Sequence, residues 1–430
     1  MRELLAEYRD IDHPRNIGLI SLSHGINEFY SIVIPPIVPL LVTDLGITYA
    51  QAGLLLTVFF AMYSLFQLPA GLVADRLGKK RVLVAGLAAM AGSLGLASTA
   101  GSYEALLAAQ ALAGIGGSTY HPTGMSLVSD LEREATEGRA MGVFGFGGML
   151  GVAAAPVVVG GVAAVFGWRA ALIAAAVGGL AFVAVFQVAF RAPDFAPDAG
   201  SEAEPDGGVA AESGEDGAGP VARLRGRVAR TLRFRMTPGV AVLTAITFLI
   251  SLQLRALHTF ATGFLVDGVG RTTSVANGLF FVMLAASAVA SIWVGGLADR
   301  FDRRLIGAVA AGVTSVVLGG MVVLPALDGA VGRWPTTAVL AVSFGLLGLA
   351  VYGCSPVKNA LISEYATEES SGSLFGVMQT TSAVGSALGP ALFGAVATDL
   401  GVGVAFPLVA AVSLLIAAGF VALGRVGRAP

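Results

Sequence analysis

His24, Asn27, Glu28 and Ser31 fall at i, i+3, i+4 and i+7 within an otherwise apolar run. At helical spacing all four share one face. A carboxylate one turn from an imidazole can hold and pass a proton, or orient a charged guest. A second polar stripe, Thr244, Thr247, Ser251, Arg255, His258 and Thr262, recurs at similar spacing in another apolar run, with Gln253 beside Arg255. It carries one permanent positive charge. His121 sits before Pro122 in a third apolar run. Tyr30, Tyr63 and Tyr120 supply aromatic walls for an amphipathic pocket. The expected proton and substrate residues are therefore Glu28, Arg255, His24, Asn27, His121, His258 and Gln253. His13 lies in the N-terminal arm and takes no role. No nucleophile triad or metal-ligand cluster stands out along the chain. The single cysteine, Cys354, excludes an intrachain disulfide.

The elements that position these groups follow from composition. The chain has 430 residues, is 55% hydrophobic and only 13% charged, with a mean hydropathy of +0.80. Soluble domains carry roughly 25% charged residues. A helix needs about 20 mostly apolar residues to cross the hydrocarbon. Twelve segments qualify, near 17–42, 50–72, 82–100, 104–128, 140–165, 168–189, 239–266, 275–297, 305–326, 335–358, 373–397 and 402–424. The expected class is an all-α membrane protein. The first run is broken by His24, Asn27 and Glu28 and lacks a small-residue cleavage site, so it reads as retained rather than as a signal peptide. With the N-terminus inside, about 22 of the 26 Lys and Arg fall on the cytoplasmic side. That bias places both termini in the cytoplasm and the protein in the plasma membrane. An ionisable group at bilayer depth costs about 2.5–3.5 kcal/mol and marks a cavity or a partner.

One long connection joins the sixth and seventh segments. It divides the chain into a first bundle at 1–190, a linker at 191–238 and a second bundle at 239–430. The linker is first acidic, from Asp194 to Asp216, and should not bury a core. It then turns basic, with Arg223, Arg225, Arg227, Arg230, Arg233 and Arg235 among apolar residues. That stretch reads either as a helix on the inner leaflet or as a linker that satisfies the charge bias.

The chain also repeats itself. Gly71, Asp75, Arg76, Gly78, Lys79 and Lys80 form a charged turn between the second and third segments, and the turn recurs 224 positions later with Asp299, Arg300, Arg303 and Arg304. At an offset of 234, Gly114 to Gly160 aligns with Gly348 to Gly394. Pro122 meets Pro356, Asp130 meets Glu364, Gly151 meets Gly385 and Pro156 meets Pro390. Six spans per copy give both copies the same orientation. Two parallel six-helix repeats with a site at their interface are a transporter architecture. Under the 224 offset Arg255 corresponds to Ser31, one turn from Glu28. Glu28 and Arg255 are therefore expected to face each other across a central cavity.

These motifs resemble the major facilitator superfamily. The charged turn matches its signature after the second helix. His24, Gly25, Asn27 and Glu28, the stretch from Leu45 to Gly53, and His121 with Pro122 are most similar to its fosmidomycin-resistance-like efflux branch. The resemblance implies the twelve-helix major facilitator fold. It implies that Asp75 docks at the N-terminus of the eleventh span, near Ser373, and that Arg76 pairs with acids such as Asp130 or Glu364. Such contacts would latch the cytoplasmic side shut when the protein faces outward. Gly151, Pro156, Gly160, Gly389 and Pro390 resemble the antiporter motif imperfectly, since Ala155 stands where a glycine is expected. They also read as plain close packing. Gln110 replaces the arginine many drug–proton antiporters carry in the fourth helix, which shifts any proton machinery to the first and seventh.

The expected activity is secondary active transport by alternating access, with proton-coupled efflux of a small drug-like or anionic compound as the leading reading. Import of an organic acid or sugar, and a transporter-like membrane sensor, are the alternatives. Glu28 either couples proton and cargo through Arg255 or only orients a cargo that Arg255 clamps. No nucleotide-binding loop occurs, so ATP is not the energy source. Neither an enzyme activity nor a cofactor is expected. The expected partners are a small-molecule substrate, protons and the lipid bilayer, with no nucleic acid and a monomeric chain.

Overall fold

The structure, a computed structural model, describes residues 11–191, 236–298, 300–323, 329–330, 332–367 and 371–426. The acidic and basic parts of the long linker and Asp299 lie outside them. Among the described residues the regular structure is entirely helical.

Proline and glycine set the boundaries. Helix α1 (Pro14–Ser31) opens on a proline, whose missing N–H costs nothing in a first turn. It stops ahead of Pro35 and Pro36, which form a short 3-10 turn (Pro35–Ile37) before α2 (Val38–Leu45). The first expected span is thus one crossing of two pieces. Helix α3 (Tyr49–Leu77) begins with a reciprocal cap: the Thr48 side chain accepts from the Gln51 amide and the Gln51 side chain accepts from the Thr48 amide. It ends at Gly78, whose φ of 92° few other residues adopt. Helix α4 (Lys79–Ser98) follows. Pro122 removes the hydrogen bond that Ser118 would accept, and the fourth span divides at Thr119 into α5 (Tyr103–Ser118) and α6 (Tyr120–Leu131). Helix α7 (Glu134–Ala189) is two helices joined at Gly167, where φ is 83° and ψ 162°.

The second run comprises α8 (Pro238–Gly263), extended by a π turn at Phe264–Gly268, then α9 (Thr273–Ala298), α10 (Arg303–Gly320), α11 (Arg333–Tyr365), α12 (Ser371–Leu400) and α13 (Val402–Arg425). Ten stretches of the described residues are long and apolar enough to cross a membrane. One of them, 134–189, covers two expected spans, and the divided pair α5 and α6 occupies the place of the fourth. Large apolar side chains point outward all round, Val188 at 81% and Val316 at 75% exposure among them. A contiguous apolar exterior of this kind suits lipid, not water.

Packing repeats in sequence order. In the first run α1 packs on α7, α3 on α5, and α4 on both α5 and α7. In the second α8 packs on α12, α9 on α11, and α10 on both α11 and α13. The ion pairs repeat too. Lys79 Nζ lies 2.5 Å from Asp130, and Arg304 Nη2 lies 2.7 Å from Glu364 with Arg303 at 3.7 Å. The two runs meet along α3 with α12 and α7 with α9.

The side-chain hydrogen bonds joining the runs lie between mid-membrane and one end. Tyr49 donates to Asp267, the Ala50 amide to Thr398 at 2.8 Å, Asn277 to the Pro36 carbonyl at 3.1 Å and Thr57 to the Ala387 carbonyl at 2.6 Å. Gly53 sits against the Pro390 backbone, where a methyl group would overlap the carbonyl oxygen. Among the described residues no such bond joins the runs at the opposite end, which carries Leu77 and Ser371. Among the described residues the runs are tied together at the one end and not at the other.

Candidate functional site

Below these ties the runs enclose a cavity of about 690 Å³. Glu28 and Ser31 of α1, Phe60, Tyr63, Ser64 and Gln67 of α3, His121 of α6, Arg255 of α8, and Gln379, Thr380 and Ser382 of α12 contribute to its wall. Glu28 and Arg255 thus border one space, as the 224-residue repeat suggested.

Helix α1 presents its polar face to α6 and α7. The His24 ring stacks on Phe144 at 4.0 Å and on Tyr120 at 5.4 Å between centroids. Its Nδ1 lies 2.8 Å from the Phe144 carbonyl oxygen. That oxygen can only accept, so Nδ1 carries the proton and Nε2 of the neutral ring presents a lone pair. Gly148 provides room for the ring, since a methyl there would overlap it. One turn on, Glu28 Oε1 lies 3.8 Å from His24 Nε2 and 3.4 Å from His121 Nε2. The break before α6 turns His121 into the cavity, where its side chain is 38% exposed.

Arg255 makes no ion pair with Glu28. Its guanidinium lies over the Phe60 ring, 4.0 Å from the centroid, and its buried Nε has no hydrogen-bond partner. A cation held over an aromatic face keeps its donors available to a guest. Ser251 and Ser382 bond to each other at 2.7 Å nearby, joining α8 to α12. The site therefore has two differently charged poles, an acid with two imidazoles on the first run and an unpaired guanidinium on the second.

Several expected residues lie away from this cavity. Asn27 is fully buried among α1, α3, α4 and α5, 3.4 Å from the Gly117 carbonyl and from the Tyr63 hydroxyl. Tyr30 donates to the Ala175 carbonyl at 2.8 Å, and Tyr120 to the Ile20 carbonyl at 2.6 Å, so both fix helix packing. Tyr63 alone of the three tyrosines borders the cavity. Gln253 accepts from Ser413 of α13 at 3.1 Å, within the second run. His258 is buried against Tyr352, Nε2 to hydroxyl 3.0 Å. A helix with polar residues on several faces does not announce which face meets the cavity, and these five turn inward to neighbours.

The charged turn makes neither of its expected latch contacts in this structure. Asp130 pairs with Lys79 and Glu364 with Arg303 and Arg304, leaving neither for Arg76. Asp75, Arg76 and Arg300 are exposed, and Asp75 and Arg76 hold no ion pair among the described residues. Lys80 donates to the Gln187 and Phe190 carbonyls at the end of α7. Among the described residues no side-chain hydrogen bond or ion pair joins α3 to α12 at that end. Gly71 likewise makes only an ordinary contact with Pro122.

The packing residues do meet backbones closely. Methyl groups at Gly151 and Gly389 would overlap the backbones of Gly25 on α1 and Leu252 on α8, and one at Gly160 would overlap the Asn277 side chain on α9. Pro156 and Pro390 are buried in α7 and α12. Phe60, Ser64, Gln67, Gln379, Thr380 and Ser382 were not among the expected site residues. The polar run from Gln379 to Ser382 within an apolar segment was the available signal.

Residues 20–345 match the profile of the Major Facilitator Superfamily. The chain belongs to that superfamily. It is a multi-pass membrane protein. Across 151 residues it is 32% identical to the Fosmidomycin resistance protein of Escherichia coli (strain K12), covering 35% of this chain and 37% of that protein. Across 142 residues it is 29% identical to the Probable L-galactonate transporter of the same organism, covering 33% and 31%. The matches span about a third of the length of these curated relatives. The superfamily fold is shared with a bacterial homologue of the human lysosomal transporter Spinster, with a TM-score of 0.77 at 15% identity and 96% of each chain covered.

Proposed function

We propose that this transporter exports a small drug-like or anionic compound in exchange for protons. The carrying observation is the pair of poles in one cavity: Glu28 between two imidazoles, and Arg255 with an unpartnered nitrogen over Phe60. Export against a gradient requires cargo and proton to exclude each other. A cargo that lays an anionic group on Arg255 and donates hydrogen bonds to Glu28 needs that carboxylate ionised, so a proton arriving at Glu28 weakens its hold. The two bundles, 1–190 and 239–430, rock about this cavity by alternating access. In the plasma membrane with both termini cytoplasmic, and as a monomer, the Leu77 end faces the cytoplasm and the Tyr49–Asp267 end faces out. Asp75, Arg76 and their counterparts after α9 would close the cytoplasmic end in the opposite state. The similarity to the Fosmidomycin resistance protein supports export.

The opposite coupling sign gives the second reading, favoured by similarity to the Probable L-galactonate transporter. An anion that reaches only Arg255 cancels the positive field at Glu28 and raises its proton affinity. Cargo and proton then travel together, as in an importer.

The test is flux in proteoliposomes under an imposed pH gradient, with fosmidomycin and L-galactonate as probes and a trapped pH dye. Proton movement opposite to the probe supports exchange, and movement with it supports symport. Glu28→Gln should keep probe exchange and lose the response to the gradient. Unchanged proton movement in that variant removes Glu28 from the mechanism.

A further inference from the structure

The lone pair on His24 Nε2 and the Glu28 carboxylate face each other at 3.8 Å. With the ring neutral both are acceptors, and His24 Nε2 is buried with no hydrogen-bond partner. Two such groups held face to face call for a shared cation. His121 Nε2 approaches the same carboxylate oxygen at 3.4 Å, and one potential ligand atom from each of the three residues lies within 4.8 Å of the other two.

The distances suit a metal ion. With ligand bonds of about 2.0–2.2 Å, neighbouring donors of a tetrahedral site stand roughly 3.3–3.6 Å apart. The His121–Glu28 edge already has that length, the His24–Glu28 edge nearly so, and His121 is free on its cavity side to close the third. Supporting contacts are in place as well. A metal-ligating histidine characteristically donates its other ring N–H to a carbonyl or carboxylate, which fixes tautomer and plane. His24 does this to Phe144 and stacks against the Phe144 and Tyr120 rings, with Gly148 leaving it room.

We propose that His24, Glu28 and His121 bind one divalent transition-metal ion of the zinc class, leaving its fourth coordination position open to the cavity. Two imidazoles and a carboxylate suit zinc, cobalt or nickel over calcium or magnesium, which take oxygen donors. The open position would accept water or an oxygen donor of an anionic guest, across the cavity from Arg255.

The test uses the full chain in nanodiscs with any affinity tag removed, titrated with Zn2+ by calorimetry and with Co2+ by visible absorption. One Zn2+ per chain and the intense Co2+ bands of a four-coordinate site are expected. His121→Gln and Glu28→Gln should each weaken binding by at least about tenfold, since loss of even an outer-shell partner costs that much. Gly148→Ala, which displaces the His24 ring, should weaken it too. Wild-type chain that binds no stoichiometric Zn2+, gives the weak bands of six-coordinate Co2+, or loses nothing on both His121→Gln and Glu28→Gln overturns the proposal. The wild-type spectrum decides even if a variant fails to fold. No gradient, cargo or proton flux enters the measurement, so it reads the metal site alone; an ion bound to Glu28 would compete with the proton that carboxylate takes in the exchange cycle.

Discussion

Replacing Gly53 with alanine tests whether the tied end is a separable contact between two moving bodies. A Cβ at Gly53 would overlap both the oxygen and the carbon of the Pro390 carbonyl, a rigid backbone neighbour on α12. Overpacking of this kind costs about 1–3 kcal/mol. Because α3 and α12 belong to different runs, the cost falls only on the conformation in which that end is shut. From comparable starting populations, a penalty of about 2 kcal/mol leaves the sealed conformation at a few per cent. Gly151→Ala is the control. Its methyl would overlap the Gly25 backbone within the first run, a contact that rigid-body rocking retains in both states. It should lower overall stability and leave the conformational ratio alone. The assay exploits the single cysteine: with Cys354 replaced, a cysteine at Ser382 on the cavity wall reports access by its rate of maleimide labelling from each side of the membrane. Gly53→Ala should slow labelling from the Leu77 side and speed it from the Tyr49 side. Equal rates in Gly53→Ala and wild type, or an equal shift in Gly151→Ala, would refute the two-body picture.

Two further outcomes follow from the same geometry. Tyr49→Phe removes the hydroxyl that bonds to Asp267 and should favour opening of the tied end by about 1 kcal/mol, a smaller shift of the same sign in the labelling assay. At the N-terminal arm, Arg133 donates two 2.7 Å hydrogen bonds to Asp12, holding that carboxyl below its usual range. A depressed folded-state value means that the tether is fully present above the unfolded carboxylate value of about 4 and is lost as pH falls through the lowered one. Hydrogen exchange over residues 11–17 should stay protected down to that region and then rise. Asp12→Asn should remove this part of the pH dependence, and loss of protection near neutral pH would contradict the assignment.

Much of the architecture was legible in the chain because a bilayer imposes a simple rule. Long apolar runs with basic connections have few soluble alternatives, and the duplicated turn at Gly71 and Gly295 exposed the repeat. The breaks at Pro35 and Pro122 were less legible: hydropathy is blind to a proline that divides a span while leaving it apolar. The ion pairs Lys79–Asp130 and Arg304–Glu364 lay among the repeat-matched positions, yet charge alone could not say which of several cations each acid takes.

The sequence by itself determined a helical membrane protein with an internal repeat, and pointed to Glu28 and Arg255 as residues of one cavity, because periodicity and an internal offset are properties of order along one chain. Only the tertiary structure decided which polar faces meet the cavity. Gln253 and His258 share the helix of Arg255 but turn to α13 and α11, since rotation about a helix axis is set by neighbours hundreds of residues away. It also brought His121 to the His24–Glu28 pair from 93 positions beyond Glu28, and it alone decided at which end the runs are tied.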